Sequence, residues 1–138
     1  MTAIASGDEW ARVDATSANT TPSDPTIAPT PWGHNYVNVE AMPWAHSRIP
    51  LSEQKTLFED PATGKSTVLF RLQPGAVIPF HEHPELEQTF MLKGKLVDHQ
   101  GECTAGNFVW RTGGSRHTAT CPDGAEMLVF FSKPPKRL

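Results

Sequence analysis

Residues 75–94, GAVIPFHEHPELEQTFMLKG, carry two histidines and three glutamates within seven positions, between two apolar segments. Side chains two residues apart in a β-strand point to the same side of the sheet, so His81 and His83 face the same way. Pro84 cannot donate a hydrogen bond to a neighbouring strand, and PEL is therefore interpreted as a turn. A second strand then begins at Glu87, which predicts a hairpin that brings three potential metal ligands together.

Short β-prone segments separated by glycine, proline, asparagine and aspartate continue through the rest of the chain. This spacing is typical of an antiparallel sandwich or barrel rather than of βαβ units, and it predicts an all-β double-sheet jelly-roll barrel over residues 35–132. A Pro/Thr-rich arm over residues 1–34 precedes the barrel, and residues 133–138 form a C-terminal tail. The predicted strands are YVNV 36–39, KTLFED 55–60, STVLFRLQ 66–73, AVIPFHEH 76–83, EQTFMLKG 87–94, KLVDHQ 95–100, ECTA 102–105, NFVWRT 107–112, HTATC 117–121 and AEMLVFFS 125–132.

Composition restricts the partners of this 138-residue chain. The formal net charge is −3, and the one basic cluster, KPPKRL at residues 133–138, is too short to follow a nucleic-acid backbone. No apolar leader or long apolar run is present, which predicts a cytoplasmic protein that binds neither membrane nor nucleic acid. Cys103 and Cys121 are expected to be reduced thiols. We expect a small-molecule partner and, because an open edge strand invites pairing, a homodimer.

A third histidine follows a glycine-rich turn later in the chain. In TGGSRH, Gly113 and Gly114 allow the backbone to turn tightly enough to deliver His117 into the site formed by the hairpin. Imidazole and carboxylate ligands together suit iron, zinc, manganese, nickel or copper. The predicted centre is therefore one divalent metal ion bound by His81, His83, Glu87 and His117.

The spacing of these residues resembles a known family. In residues 75–94, five residues separate Gly75 from His81, one separates His81 from His83, three separate His83 from Glu87, and six separate Glu87 from Gly94. This is the spacing of the first cupin motif. GNFVWRTGGSRHTATC, residues 106–121, is similar to the second motif. It departs from that motif at two positions, because the usual proline is Thr112 and the usual final asparagine is Cys121. Neither departure removes a predicted ligand.

The segments DHQG, AGNFVWR and GSRH are most similar to single-domain ChrR-like cupins. That group resembles both the metal-binding domain of an anti-sigma factor and small diketone-cleaving dioxygenases such as acetylacetone dioxygenase. The resemblance implies a cupin double-stranded β-helix and an Fe(II) dioxygenase that uses O2 on a diketone-like or other enolisable molecule. Zinc, nickel or manganese are alternative ions. The alternative functions are a non-catalytic metal sensor and a metal-dependent isomerase or decarboxylase.

Glu87 has two possible roles in such a site, as a metal ligand or as a catalytic base. On its strand, Met91 shares the same face by parity. Arg71 could hold a substrate carboxylate or enolate if it pointed inward, and otherwise it is a surface arginine. The complete set of substrate-pocket candidates is Arg71, Met91, Phe108, Trp110, Cys121 and Met127.

Overall fold

A computed structural model describes residues 36–138, and the predicted arm at residues 1–34 lies outside the described residues. The chain divides into two compact units at Met42 and Pro43. The described part of the first unit, residues 36–42, forms a turn. The Asn38 side-chain oxygen accepts a hydrogen bond from the Ala41 N–H at 3.2 Å. The prediction of a strand at residues 36–39 is therefore wrong, because asparagine closes a local turn instead of pairing along a ladder.

The second unit consists of strands joined by turns, with no helix among its residues. All nine predicted strands within it are confirmed in position, although the segments at 87–94 and 95–100 form a single strand. The strands are β1 Ala45–His46, β2 Ser52–Asp60, β3 Lys65–Leu72, β4 Ala76–Glu82, β5 Glu87–Asp98, β6 Gly101–Thr104, β7 Phe108–Arg111, β8 Arg116–Cys121, β9 Ala125–Phe131 and β10 Lys136–Arg137. No helix in residues 36–138 has the length and apolar character needed to cross a membrane.

The strands follow the order β1-β2-β3-β9-β5-β8-β4-β10, with β6 and β7 also pairing with β5. Every pairing between these strands is antiparallel. The predicted all-β jelly-roll architecture is confirmed. The predicted hairpin of β4 and β5 is wrong, because β8 lies between them in the sheet order. The predicted tail also contributes to the sheet, since Lys136 pairs with Glu82 and Arg137 with His81.

Strand β5 is long because it contributes to both parts of the curled sheet. Its first half pairs with β9 and β7, and its second half pairs with β6 and contacts β8 at Val97. A register shift between Met91 and Lys93 separates the halves. At Gly94 the backbone φ is 68°, and an added Cβ would lie 2.0 Å from the Gly124 carbonyl oxygen. The predicted break between the segments 87–94 and 95–100 is therefore a bend within one strand, at a position that only glycine fits.

The core lies between the two halves of the curled sheet and is formed by alternate residues of the strands. Met91, Val129 and Cys121 are the largest fully buried apolar side chains, and Ala76 and Ala119 are also fully buried. Burial of this apolar surface provides the main stabilisation of the fold. Both cysteines are buried and unpaired. His83 is 1% exposed within this otherwise apolar interior, so its polar ring requires partners there.

Candidate metal centre

Strands β4 and β8 bring two of the predicted ligands directly opposite each other. His81 and His117 are Cα partners in this ladder, so both side chains point to the same side of the sheet. A register shift between Ile78 and His81 interrupts the ladder next to Pro79, which has no N–H to donate. His83 follows the end of β4 and, two residues after His81, faces the same interior.

The TGGS turn attaches His83 to β8 through its backbone. The His83 N–H donates to the Ser115 carbonyl at 2.9 Å, and the His83 carbonyl accepts from the Gly114 N–H at 2.7 Å. Gly114 has a φ of 87°, as a tight turn there requires. Thr112 replaces the usual proline without loss of the turn, because its carbonyl accepts from the Ser115 hydroxyl at 2.7 Å. The glycine-rich turn therefore positions His83 as well as His117.

The three imidazoles converge through their Nε2 atoms. His83 Nε2 lies 3.2 Å from His81 Nε2 and 3.0 Å from His117 Nε2. The three rings form the group of potential metal-binding side chains found among residues 36–138, and all three are buried. The structure thus brings together three of the four predicted ligands.

Each ring uses its other nitrogen, Nδ1, to contact a hydrogen-bond acceptor. His81 Nδ1 lies 2.8 Å from the Pro79 carbonyl oxygen. His83 Nδ1 lies 2.8 Å from Glu87 Oε2, and His117 Nδ1 lies 2.8 Å from Asp98 Oδ2. Because a carbonyl or a carboxylate can only accept, each Nδ1 carries the proton. Neutral rings in this tautomer therefore turn three Nε2 lone pairs toward one another.

This donor set fits a divalent metal ion. If two nitrogens each lie about 2.1 Å from one ion and the nitrogen–ion–nitrogen angle is about 90°, the nitrogens are about 3.0 Å apart. The Nε2 atoms of these histidines have a similar spacing. Without a cation between them, the facing lone pairs would repel. Donation of the second ring nitrogen to a carboxylate or carbonyl is also the usual arrangement around histidine ligands. The carboxylates of Glu87 and Asp98 would together balance a charge of +2.

Burial favours the neutral form that metal binding requires. It lowers the pKa of His81, opposed in part by the hydrogen bond to the Pro79 carbonyl. It also lowers the pKa of His117, opposed in part by the hydrogen bond to Asp98. Both histidines are therefore poised to offer unprotonated Nε2 atoms near neutral pH.

Asp98 belongs to the site, although it is not among the site residues predicted from the sequence. Its side chain is 2% exposed, and besides His117 it contacts the Arg111 guanidinium and accepts from the Gln100 N–H at 2.8 Å. Burial alone would raise the pKa of Asp98, but the hydrogen bonds from His117 and Gln100 and the charge of Arg111 outweigh it and lower the pKa. The carboxylate is thus held ionised against the His117 ring.

A cavity of about 350 Å³ opens beside the histidines. His81, His117 and Glu87 line one part of it. Most of the remaining wall is apolar and comes from β3, β4, β5 and β9: Phe70, Ile78, Leu96, Met127, Val129 and Phe131. This wall suits the carbon skeleton of a small molecule that reaches the imidazoles with a polar group.

The predicted pocket residues occupy different environments. Met127 lines the cavity, whereas Met91 and Cys121 are fully buried in the core cluster. Burial raises the pKa of the Cys121 thiol to about 11, so this residue behaves as a small apolar side chain. Phe108 and Trp110 are 50% and 59% exposed and do not line the cavity.

Arg71 also lies outside the cavity. It is exposed, and its guanidinium is paired with Glu53 and lies 4.1 Å from the Trp44 ring centroid. Parity explains this position, because the neighbouring Phe70 and Leu72 point inward and are buried. Of the two alternatives for Arg71, the structure gives the surface arginine.

A curled antiparallel sheet with three histidines converging inside it is the architecture of a cupin. Residues 33–136 match the family described as the ChrR Cupin-like domain, and the chain belongs to this family. No curated protein matches the chain.

Similar folds occur in several solved structures. A "putative acetylacetone dioxygenase" from Methylibium petroleiphilum PM1 has a TM-score of 0.72 and 20% identity, over 81% of this chain and 85% of that chain. An acetylacetone dioxygenase from Acinetobacter johnsonii has a TM-score of 0.69 and 18% identity, over 79% and 80% of the two chains. The polyketide cyclase RemF from Streptomyces resistomycificus has a TM-score of 0.61 and 16% identity, over 76% and 85%. At these identities the likeness concerns the fold.

Proposed function

We propose that this chain is a metal-dependent cupin enzyme, an Fe(II) dioxygenase that cleaves a diketone-like or other enolisable small molecule. The observation that carries the proposal is the three-histidine cluster opening onto an apolar cavity of about 350 Å³. Three neutral protein donors would leave positions on a bound ferrous ion for substrate and O2. The acetylacetone dioxygenases among the similar structures support the same reaction class.

In this proposal His81, His83 and His117 hold the ion, and the bound ferrous ion would supply Lewis acidity for an enolate and electrons for O2. The protein's own contribution is orientation and exclusion of water. Phe70 and Phe131 meet edge to face, with ring centroids 6.2 Å apart, and both line the cavity. These rings would surround the substrate with apolar surface and keep bulk water from its reacting carbon.

Glu87 is the candidate proton acceptor. Its Oε2 contacts His83 Nδ1 at 2.8 Å, and the residue also lines the cavity. A carboxylate in this position can orient His83 and can take a proton from an enolisable carbon bound beside it. Binding of Glu87 to the metal, the other role predicted from the sequence, would require it to leave His83.

The Glu87→Gln variant tests this role. We expect metal affinity to fall by less than about tenfold, because the amide oxygen can still accept from His83 Nδ1. Turnover should fall by at least about a hundredfold, since an amide is not a base. Equilibrium metal titration and oxygen uptake measure the two effects. Glu85→Gln, which neutralises an exposed neighbouring acid, is the control. Equal losses of metal affinity and turnover in Glu87→Gln would contradict the role of Glu87 as the proton acceptor.

The Asp98→Asn variant tests the carboxylate behind His117. We expect metal affinity to fall about 10-fold to 100-fold, more than in Glu87→Gln. Asp98 accepts from Arg111 and the Gln100 N–H as well as from His117, so the NH2 group of an asparagine would face one of these donors. The variant should also lose less stability than the wild type when the pH is lowered. The folded-state pKa of Asp98 is lowered, so its stabilisation is present above the unfolded pKa and is lost as pH falls through the folded value. Asp123→Asn, at a side chain that is 70% exposed, is the control; unchanged metal affinity in Asp98→Asn would refute the role.

Oxygen uptake tests the proposed activity itself. Protein loaded anaerobically with Fe(II) would be mixed with aerated solutions of diketones, phenolic ketones and thiols. We expect uptake with at least one enolisable diketone and none with metal-free protein. Tight metal binding without uptake for any substrate would replace the dioxygenase with the sensor or the isomerase/decarboxylase alternative. The homodimer and the cytoplasmic location stay predictions.

A further inference from the structure

Two arginines line the cavity beside the histidines. Arg48 lies between β1 and β2, and Arg137 lies in β10 near the C-terminus. Neither residue is among the metal ligands or pocket residues predicted from the sequence. They are the cationic side chains among the residues that line this cavity.

The strand register directs Arg137 toward the histidines. Arg137 is the Cα partner of His81, and the side chains of directly opposed residues lie on the same face of a sheet. The preceding residue, Lys136, opposes Glu82 and therefore points to the other face. Arg137 is exposed and thus lies at the open edge of the sheet, on the same side as the candidate metal ligand next to it.

Local hydrogen bonds fix the segment that carries Arg48. The Ser47 hydroxyl accepts from the Ile49 N–H at 3.1 Å, and the Ser52 hydroxyl donates to the Ile49 carbonyl at 2.8 Å. Ile49 itself packs against the hydrophobic core. These contacts hold the exposed Arg48 at the cavity, and within residues 36–138 its side chain has no bond, so its guanidinium can contact a ligand.

Neither guanidinium has a protein partner in the described part of the chain. The other three arginines of residues 36–138 are each paired with a carboxylate: Arg71 with Glu53, Arg111 with Asp98 and Arg116 with Glu82. Arg48 and Arg137 form no ion pair within residues 36–138. Among the described residues that line the cavity, Glu87 is the one carboxylate, and it is bonded to His83. Within this part of the chain, two unpaired positive charges therefore border a largely apolar space.

We propose that the substrate of this site is a small carboxylic acid whose carboxylate is bound by Arg48 and Arg137. This inference rests on the proposed function for the other end of the molecule, where an enolisable group meets the metal. Guanidinium groups suit carboxylates because their planar N–H pairs match the two oxygens. The apolar wall would contact the carbon chain between the two ends. The substrate class is therefore a keto or diketo acid rather than a neutral diketone.

A matched pair of ligands tests this proposal. 4,6-Dioxoheptanoate and heptane-2,4-dione have the same seven-carbon chain and the same diketone, and differ in a terminal carboxylate. Binding would be measured by calorimetry on zinc-loaded full-length protein, because zinc does not support oxygen chemistry. We expect the acid to bind at least about tenfold more tightly than the dione, as hydrogen bonds to charged groups imply.

Charge-removing variants locate the carboxylate. In the Arg48→Gln, Arg137→Gln double variant we expect affinity for the acid to fall by at least about tenfold, while affinity for the dione changes less than about twofold. Lys136→Gln is the control, since it removes the same charge one residue away on the opposite face. Equal zinc content in all variants would show that the centre is intact.

The outcomes separate this proposal from the proposed enzyme activity. Equal binding of acid and dione, absence of binding by the acid, or a double variant that retains the preference would overturn the carboxylate site. Oxygen uptake by iron-loaded protein is measured separately. If neither ligand causes uptake but the arginine-dependent preference persists, the dioxygenase is rejected and the carboxylate site stands. Uptake with the dione but no preference for the acid rejects the carboxylate site alone.

Discussion

Replacing His83 with alanine should abolish metal binding and every activity that depends on the metal. His83 is the central member of the cluster, because its Nε2 lies 3.2 Å from that of His81 and 3.0 Å from that of His117. Its loss removes one donor and also frees the Glu87 carboxylate from its hydrogen bond. We expect metal affinity to fall by more than about a hundredfold, beyond the loss caused by changing an outer hydrogen-bond partner.

The measurement is metal content after dialysis, together with thermal unfolding of the metal-free proteins. His46→Ala is the matched control, because His46 is exposed on β1 and outside the cluster. We expect metal-free His83→Ala to unfold cooperatively, so that metal loss is not a consequence of misfolding. A folded His83→Ala protein with full metal occupancy would contradict the three-histidine site.

Replacing Gly94 with alanine should destabilise the fold severely. The added Cβ would lie 2.0 Å from the Gly124 carbonyl oxygen, a backbone atom that cannot rotate away. Moving that oxygen would also break its hydrogen bond with the Lys95 N–H, which is 3.3 Å long. Overpacking and the positive φ together should lower the free energy of unfolding by at least about 4 kcal/mol. This loss is comparable to the total stability of many small domains.

Chemical denaturation followed by tryptophan fluorescence would measure this effect. Gly106→Ala is the control, since Gly106 also has a positive φ, 82°, but nothing lies within 4 Å of an added Cβ. We expect the control to lose about 1–2 kcal/mol from backbone strain alone. Similar losses in the two variants would show that the close approach of β5 to Gly124 is unimportant.

The residue types and spacing around the histidines were sufficient to predict their convergence. Because side chains alternate along a strand, His81 and His83 were predicted to lie on the same side of the sheet. The glycine-rich turn before His117 indicated that this residue could reach the same place. Strand pairing was less accessible to sequence reasoning. A short turn between two β-prone segments normally indicates a hairpin, but β4 and β5 each pair with other strands instead. Such long-range pairing depends on the packing of the whole sheet, which local signals do not contain.

The position of Asp98 illustrates a limit of parity. Before the register shift in β5, the inward residues are Thr89 and Met91, and after it they are Leu96 and Asp98. After the shift, the inward-facing residues have even instead of odd numbers. If the alternation of side chains is continued along β5 without the shift, Asp98 is assigned to the outer face. The glycine at position 94 was visible in the sequence, but it was interpreted as the end of one strand. A bulge interpretation would have directed attention to Asp98.

The cavity arginines were missed for a different reason. Arg137 belongs to the basic segment at residues 133–138, which the sequence predicts to be a tail, whereas in the structure it pairs with His81. Two-residue strands such as β10 carry no periodic pattern. Arg48 lies in a loop fixed by serine side chains, and its direction depends on those hydrogen bonds. Neither position could be assigned to the cavity from composition or alternation.

X-ray absorption at the zinc edge of zinc-loaded protein tests the central claim most directly, because it counts imidazole ligands without requiring activity. The three-histidine centre predicts three imidazoles with nitrogen at about 2.0–2.1 Å and the remaining positions filled by oxygen. The buried thiols of Cys103 and Cys121 should make no contribution. A count of fewer than three imidazoles, or a sulfur ligand at about 2.3 Å, would contradict the account.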